Sequence, residues 1–305
     1  MYKVSWIYIP ISIIIMIIII LIVGLNLLHN IKKKIKDAIK ETCNNSDELI
    51  NIIPKIEKFT DKNFNKKNAL SLNYINYSVS KFCGCKKELR PFTDDFIIYD
   101  IYECYDTYAG KNRNISVLFY SDKLKTAIIS FSGTHFLSEW IDDSNFNQIN
   151  PYFINNKNLL IHQGFYNMYN SMRDKFLNSL NYIKNVLVGK DDIFTFICTG
   201  HSLGGCLASI CYLDLISNDN LKNLILYSFA SPRVGNIEFA NVINNSKEKN
   251  TVWRIINTED IIPIAILPVI NSIIYENYEN LFTFTLNLKD NKLNHIQSYT
   301  QFLSQ

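Results

Sequence analysis

The chain has 305 residues, of which 48% are hydrophobic, and this is enough to build one large domain with a substantial core. Its formal net charge at pH 7 is +3, but residues 1–40 carry six lysines and one acidic residue, so the remainder of the chain is slightly acidic. A near-neutral body lacks the basic surface typical of nucleic-acid-binding proteins, and we expect no nucleic-acid partner.

The first predicted element is an apolar segment at the N-terminus. Residues 4–28 contain 25 residues without a charge, which is long enough to cross the hydrocarbon core of a bilayer. The segment has neither the short apolar region nor the small-residue cleavage site of a secretory signal peptide. We therefore expect a single-pass transmembrane anchor within residues 1–30. Because Lys3 precedes it and at least four lysines follow it, the positive-inside rule predicts a cytosolic body behind a membrane-bound N-terminus.

The anchor is followed by a polar segment and then by the folded body. Residues 31–65 are rich in lysine and asparagine, and we expect a basic juxtamembrane helix or a solvated linker there. The body is expected to occupy residues 66–305, beginning with a helix near Ala69. The seven cysteines show no two pairs at zinc-ligand spacing. We expect no metal and no cofactor, and the sequence does not indicate an oligomeric state.

Strand and helix patterns alternate through the body. In residues 165–187 apolar side chains recur at steps of three or four, which predicts a long amphipathic helix. A second packed helix is expected over residues 206–216. This alternation predicts an α/β fold with a central, mostly parallel sheet flanked by helices. The predicted strands are the apolar runs at residues 115–120, 125–131, 193–199, 224–230 and 252–257.

One serine is placed in an unusual setting. Residues 200–204 read Gly-His-Ser-Leu-Gly, a G-x-S-x-G pattern with a predicted strand before it and a predicted helix after it. In so tight a bend a side chain at Gly200 or Gly204 would collide with neighbouring backbone, whereas glycine fits. The bend projects the hydroxyl of Ser202 at the carboxyl edge of the sheet. We interpret Ser202 as a nucleophile, with Gly200, His201 and Gly204 forming its turn.

A serine nucleophile needs a base, and the base needs an acid to orient it. The usual order for this kind of turn is serine, acid, histidine, and His295 is the one histidine after Ser202. For the acid we favour Asp260, which precedes an apolar turn that would shield a carboxylate. Glu259 and Asp290 remain alternatives at this point.

Acyl transfer also needs hydrogen-bond donors for an oxyanion. The amide of Leu203, directly after the nucleophile, is one donor expected from the geometry of the turn. A second donor is expected from the loop that follows the strand at residues 125–131. There Thr134 offers both an amide and a hydroxyl.

These motifs together resemble the class 3, or fungal-type, lipase family of the α/β-hydrolase superfamily. The similar stretches are FSGTHFLSEWIDD, IHQGFYNMY, TGHSLGG, FASPRVGNIEFA, NTEDIIPIAILP and NHIQSY, which occur in family order. The resemblance implies a triad of Ser202, Asp260 and His295, with Thr134 and Leu203 as oxyanion donors. It also implies a lipid ester substrate with long acyl chains. Ser132 departs from the family by standing where an arginine is common.

A short amphipathic flap is expected after Thr134. Its apolar residues fall on one face of a predicted helix, and such a flap can close over an apolar site in water and open at a lipid surface. A short helix packed on the core is the alternative. The flap residues are Phe136, Leu137, Trp140 and Ile141.

The function expected from these features is that of a membrane-anchored serine esterase or lipase that hydrolyses glycerolipid esters through an acyl-enzyme. One alternative is a phospholipase A1 or a diacylglycerol lipase, because the anchor would hold the body against phospholipid. An alternative of another class is a catalytically inactive hydrolase fold that serves as an interaction module.

Overall fold

The computed structural model describes most of the predicted body and little of the chain before it. The described residues are 26, 29–30, 33, 56, 63–85, 88–89, 93, 95–106, 111–133, 146–188, 194–218, 221, 223–246, 251–266, 269–270, 273–278 and 281–305. The expected anchor at residues 4–28 lies outside this set apart from Asn26. Within the described part of the chain, no helix combines the length and the apolar character needed to span a bilayer.

Helices and strands alternate along the described chain. The α-helices whose bounds lie within the described residues are α1 (Lys66–Cys85), α2 (Gln163–Tyr182), α3 (Leu203–Asn218), α4 (Ile237–Asn245) and α5 (Asn291–Ser304). A π-helical turn (Ile183–Val188) extends α2, and a 3-10 turn (Ile262–Ile264) follows β8. The strands are β1 (Ile97–Asp106), β2 (Lys111–Ser121), β3 (Thr126–Phe131), β4 (Gln148–Ile149), β5 (Ile161–His162), β6 (Thr195–His201), β7 (Asn223–Phe229), β8 (Thr251–Asn257), β9 (Val269–Ile270), β10 (Ile273–Ile274) and β11 (Leu281–Phe284).

Seven of these strands form the central sheet, in the order β1-β2-β3-β6-β7-β8-β11. The pairs β3–β6, β6–β7, β7–β8 and β8–β11 are parallel, whereas β1–β2 and β2–β3 are antiparallel. The expected α/β fold with a mostly parallel sheet is therefore confirmed. In a parallel sheet the carboxyl ends of the strands lie at one edge, and the segments that follow β3, β6 and β8 carry the predicted site residues.

The sheet is buried on both faces. Alternate residues of β3 point to opposite sides, so that Ile129 packs with α2 and α3 while Ile128 packs with α1 and α5. Helix α2 matches the predicted amphipathic helix, and it buries Phe165, Tyr169, Met172, Phe176 and Leu180. Because both faces are covered, the strands read as nearly continuous apolar runs, which is why they were predictable.

The sequence patterns missed two strands of the sheet, β1 and β11, and two helices, α4 and α5. Strand β1 alternates exposed and buried residues irregularly across two register shifts, and β11 is only four residues long. Helix α5, which carries His295, was not predicted as a helix. Cys85 at the end of α1 is disulfide-bonded, whereas five other described cysteines are free thiols: Cys83, Cys104, Cys198, Cys206 and Cys211.

Candidate active site

Ser202 occupies a sharp turn between the end of β6 and the start of α3. Its φ of 59° is in the left-handed region, which a serine adopts only where the surroundings impose it. A methyl group on Gly200 would lie 2.1 Å from the carbonyl oxygen of Gly204, and one on Gly204 would lie 2.2 Å from that of Phe131. Both positions therefore require glycine. The predicted strand–turn–helix setting of Ser202 is present.

Hydrogen bonds hold this turn to the neighbouring strand. The amide of Ser202 donates to the carbonyl of Phe229 in β7 at 2.9 Å, and the amide of Gly205 donates to Ser202 at 3.0 Å. Leu203 is the first residue of α3, so its amide lies at the helix terminus where backbone N–H groups favour negative charge. The turn thus places the hydroxyl of Ser202 next to the amide of Leu203, a hydrogen-bond donor that could stabilise an oxyanion.

Asp260 and His295 form a buried hydrogen-bonded pair. Nδ1 of His295 lies 2.8 Å from Oδ2 of Asp260, and both side chains are almost fully buried. Asp260 follows β8 and His295 lies on the first turns of α5, so two distant segments meet here. When Nδ1 carries the proton donated to the carboxylate, Nε2 is left as a proton acceptor. This is the arrangement required of a general base.

Two further groups hold the carboxylate of Asp260. The amide of Ile262 donates to Oδ1 at 2.9 Å, and the hydroxyl of Tyr299 donates to Oδ2 at 2.9 Å. The alternative acids are placed differently: Glu259 is exposed and accepts from Asn287, and Asp290 is exposed at the start of α5. Among the three carboxylates considered, only Asp260 contacts the histidine in the described structure.

Asn257, the last residue of β8, joins the acid segment to the histidine segment. Its side-chain amide donates to Ser298 on α5 at 2.9 Å and to the carbonyl of Leu286 at 2.8 Å. Its carboxamide oxygen accepts from the amides of Glu259 and Leu286. Because one buried side chain binds both segments, the distance between Asp260 and His295 is fixed by the fold.

His201 brings the pair next to the serine turn. It directly precedes Ser202, and its ring centroid lies 4.7 Å from that of His295 and 5.4 Å from that of Tyr299. Burial, together with the nearby His295, holds the pKa of His201 well below its ordinary value, so the ring is neutral. A neutral His201 adds no positive charge beside the candidate base.

His162 has a structural role away from this constellation. Its Nδ1 accepts from the amides of Gly164 and Phe165 at 3.0 and 3.3 Å, which caps the N-terminus of α2. Burial lowers the pKa of His162 to about 3. The ring is neutral at physiological pH, as a capping acceptor must be.

The loop after β3 lies directly over the serine turn. A methyl group on Gly133 would lie 3.0 Å from the carbonyl oxygen of His201 and 3.7 Å from Cβ of Ser202. Thr134, the predicted second oxyanion donor, is the next residue and lies outside the described residues. The same is true of the predicted flap residues Phe136, Leu137, Trp140 and Ile141.

Sequence reasoning missed two residues that contact the site. Tyr299 follows His295 by four residues, which is one helical turn. Had a helix been predicted there, the two side chains would have been expected on the same face. Ser80 on α1 accepts a hydrogen bond of 2.8 Å from the amide of Gly133. No local pattern indicated the Ser80 contact, because it joins segments 53 residues apart.

Residues 128–270 match the family model described as Lipase (class 3). The chain is 31% identical over 164 residues to a lipase from Rhizomucor miehei, an alignment that covers 52% of this chain and 40% of the relative. It is 25% identical over 221 residues to phospholipase A1-IIgamma from Arabidopsis thaliana, covering 63% of this chain and 51% of the relative. The chain thus spans about half the length or less of these curated relatives.

The fold is similar to that of solved lipases. The mono- and diacylglycerol lipase from Aspergillus oryzae superposes with a TM-score of 0.58 at 20% identity, covering 74% of this chain and 81% of that one. At this identity the likeness concerns the fold.

Proposed function

We propose that this chain, which belongs to the class 3 lipase family of the α/β-hydrolase superfamily, hydrolyses carboxylic ester bonds of glycerolipids by serine catalysis. The family expected from the motifs around Ser202 is confirmed, and the family is one of carboxylic ester hydrolases. The observation that carries the proposal is the buried hydrogen bond of 2.8 Å between Asp260 and His295, beside the strained turn of Ser202.

In the proposed reaction the hydroxyl oxygen of Ser202 attacks the ester carbonyl carbon while Nε2 of His295 accepts the hydroxyl proton. Asp260 keeps the ring oriented and stabilises the imidazolium. The amide of Leu203, with Thr134 as the second donor, binds the oxyanion of the tetrahedral intermediate. The alcohol leaves with the proton from His295. A water molecule, deprotonated by the same ring, then attacks the acyl-serine and releases the fatty acid.

Two lipid classes are candidates for the substrate. The Rhizomucor miehei relative is named a lipase, which supports acylglycerols, and the Arabidopsis thaliana relative is named a phospholipase A1, which supports phospholipids. The expected flap at residues 136–141 is part of the proposal for either class, because it would cover an apolar acyl site. Fatty-acid release from emulsified triacylglycerol, emulsified diacylglycerol and phosphatidylcholine vesicles distinguishes the candidates.

The test of the chemistry compares the full chain with its Ser202→Ala variant on a p-nitrophenyl ester. We expect the variant to lose turnover by about 10³-fold or more, since the nucleophile is removed. Ser217→Ala is the matched control, because that hydroxyl bonds within α3 to the carbonyl of Leu213 and is exposed. Equal turnover by Ser202→Ala and the unmodified chain would remove the proposal.

A fluorophosphonate probe tests the alternative of an inactive interaction module. A serine activated by a neighbouring imidazole reacts with the probe, whereas an unactivated hydroxyl does not. We expect labelling of the full chain and none of Ser202→Ala. Absence of labelling in both, with an intact fold, would favour the interaction module.

The membrane anchor at residues 1–30 is part of the proposal, supported by the 25 uncharged residues and the lysines that follow them. The lysine bias favours a cytosolic body. The disulfide of Cys85 is typical of an oxidising compartment and favours the opposite side. Protease digestion of sealed vesicles, with the body detected at its C-terminus, decides between the two orientations.

A further inference from the structure

Three buried polar side chains lie along one face of α1. Asn73, Asn76 and Ser80 are spaced at i, i+3 and i+7, so they share a face of the helix, and each is less than a tenth exposed. A helix that packs on the hydrophobic face of a sheet is expected to present apolar residues there. Each of these polar residues therefore calls for a hydrogen-bond partner, and each has one.

The partners belong to the three elements that carry the candidate machinery. Asn73 donates to Thr300 on α5 at 3.0 Å, one residue after Tyr299. Asn76 donates to Thr199 on β6 at 2.9 Å, three residues before Ser202.

The remaining partners lie on β3 and on the loop after it. Asn76 also accepts from Ser130 on β3 at 2.8 Å, and Ser80 accepts from the amide of Gly133 at 2.8 Å. The face is thus connected to α5, to β6 and to the loop after β3.

The contact of Ser80 with Gly133 lies nearest to the reacting groups. Gly133 is the last described residue before Thr134, and its Cα faces the backbone of His201 and Cβ of Ser202. Two other contacts confine the same loop: the amide of Ser132 donates to the carbonyl of Ile115 at 2.8 Å, and the hydroxyl of Ser132 donates to the carbonyl of Gly133 at 2.7 Å. The Ser80 hydroxyl is the acceptor for the Gly133 amide, and it links the backbone of this loop to α1.

We propose that Ser80 is a positioning residue, which holds the backbone at Gly133 against the turn of Ser202, where the oxyanion of the proposed reaction would form. This inference rests on the proposed serine chemistry. Ser80 contacts neither the nucleophile nor the base in the described structure, and it acts through the loop. Removing its hydroxyl leaves the half-buried amide of Gly133 without its acceptor, and the loop then relaxes away from the serine turn.

The test uses three variants of the full chain: Ser80→Ala, Ser80→Thr and Ser71→Ala. Ser80→Ala removes the hydroxyl, and Ser80→Thr retains one at the same position. Ser71→Ala is the matched control, because Ser71 is also buried on α1 but bonds the carbonyl of Lys67 within the same helix. The kinetic readout is kcat and KM for a p-nitrophenyl ester.

We expect Ser80→Ala to lower kcat about tenfold with little change in KM, because displacing Gly133 from the serine turn disturbs the transition state more than substrate binding. Ser80→Thr should recover most of the lost kcat, and Ser71→Ala should match the unmodified chain. A second readout is amide hydrogen exchange of the peptide that contains Gly133, which should accelerate in Ser80→Ala only.

Three results overturn the inference. They are an equal kcat in Ser80→Ala and Ser71→Ala, unchanged exchange at Gly133 in Ser80→Ala, and failure of Ser80→Thr to recover activity. If the unmodified chain is no more active than Ser202→Ala, the proposed function fails and this inference fails with it. If the unmodified chain is active and Ser80→Ala equals Ser71→Ala, only the role of Ser80 is lost.

Discussion

The hydroxyl of Tyr299 and Nδ1 of His295 both bind the same oxygen of Asp260, at 2.9 and 2.8 Å. The two residues are one turn apart on α5, so a single helix delivers both donors to the carboxylate. Tyr299 in turn accepts from the amide of Asn257 at 3.0 Å, which links it to the end of β8. The orientation of the carboxylate therefore depends on the packing of α5 as well as on its own loop.

Tyr299→Phe is expected to weaken both activity and stability. Loss of the hydroxyl removes one donor from Asp260 and one acceptor from Asn257, at a cost of about 1 kcal/mol each. We expect kcat/KM for a p-nitrophenyl ester to fall roughly fivefold and the free energy of unfolding to fall by about 1–2 kcal/mol. Tyr278→Phe, whose hydroxyl contacts Ser209 instead, should lose stability and keep its kcat/KM. Equal activity loss in both variants would contradict a specific role for Tyr299.

Asp260→Asn is expected to abolish most of the activity without unfolding the chain. The amide has the size of the carboxylate but cannot stabilise an imidazolium. Its NH2 group can donate to Nδ1 of His295, so that the ring is held in the wrong tautomer. A loss of about 10⁴-fold in kcat is typical of such a change. Glu259→Gln is the matched control because Glu259 is exposed and binds Asn287. Near-normal kcat in Asp260→Asn, or a comparable loss in Glu259→Gln, would assign the acid elsewhere.

Gly204→Ala is expected to destabilise the fold rather than to tune activity. The added methyl would lie 2.2 Å from the carbonyl oxygen of Phe131, a backbone atom that cannot move without displacing β3. We expect a loss of at least about 3 kcal/mol, measured by urea unfolding, or failure to obtain folded protein. Ala208→Gly, in the middle of α3, should cost about 2 kcal/mol, from helix propensity and from the loss of one buried methyl group. A fully stable Gly204→Ala variant would show that the turn is looser than described.

Stability is expected to fall as the pH falls below the ordinary pKa of histidine. Burial lowers the pKa of His162 to about 3 in the folded chain, whereas the unfolded chain titrates near 6.5. Between these values the unfolded state binds the proton and the folded state does not, so the free energy of unfolding decreases on acidification. The contribution of one such group is about 1.4 kcal/mol per pH unit and is absent above pH 7.

His162→Asn tests this dependence. Asparagine retains an acceptor for the amides of Gly164 and Phe165 but does not titrate. The variant should be less stable at neutral pH because packing is lost, and its stability should decline less steeply between pH 6.5 and 3 than that of the unmodified chain. Urea unfolding at several pH values measures both. Identical slopes would show that His162 is not buried in its neutral form.

The features that the sequence predicted well are those encoded within short segments. The turn at Ser202 depends on glycines two residues on either side, and helix α2 depends on apolar residues at regular steps. Both are local patterns with a direct physical cause. The order of serine, acid and histidine along the chain pointed to His295 and favoured Asp260, and the structure brings these two residues together.

The features that the sequence left open depend on packing between distant segments. Residue patterns did not separate Asp260 from Glu259 and Asp290, because the choice follows from how the end of β8 meets α5. After Asp260 the chain forms the four-residue strand β11, which pairs in parallel with β8. Strand β11 therefore ends at the same edge of the sheet as β8, shortly before α5 begins. The Ser80 contact likewise depends on the angle at which α1 crosses the sheet, and no periodicity in the sequence specifies that angle.

Three free thiols surround the serine turn and are fully buried: Cys198, Cys206 and Cys211. Burial raises the pKa of Cys206 and Cys211, so these thiols resist alkylation while the core is closed. Each reacts with a reagent such as iodoacetamide only when the packing around β6 and α3 opens. The rate of alkylation therefore reports the opening of this region directly, without added labels and in variants that have no turnover to measure.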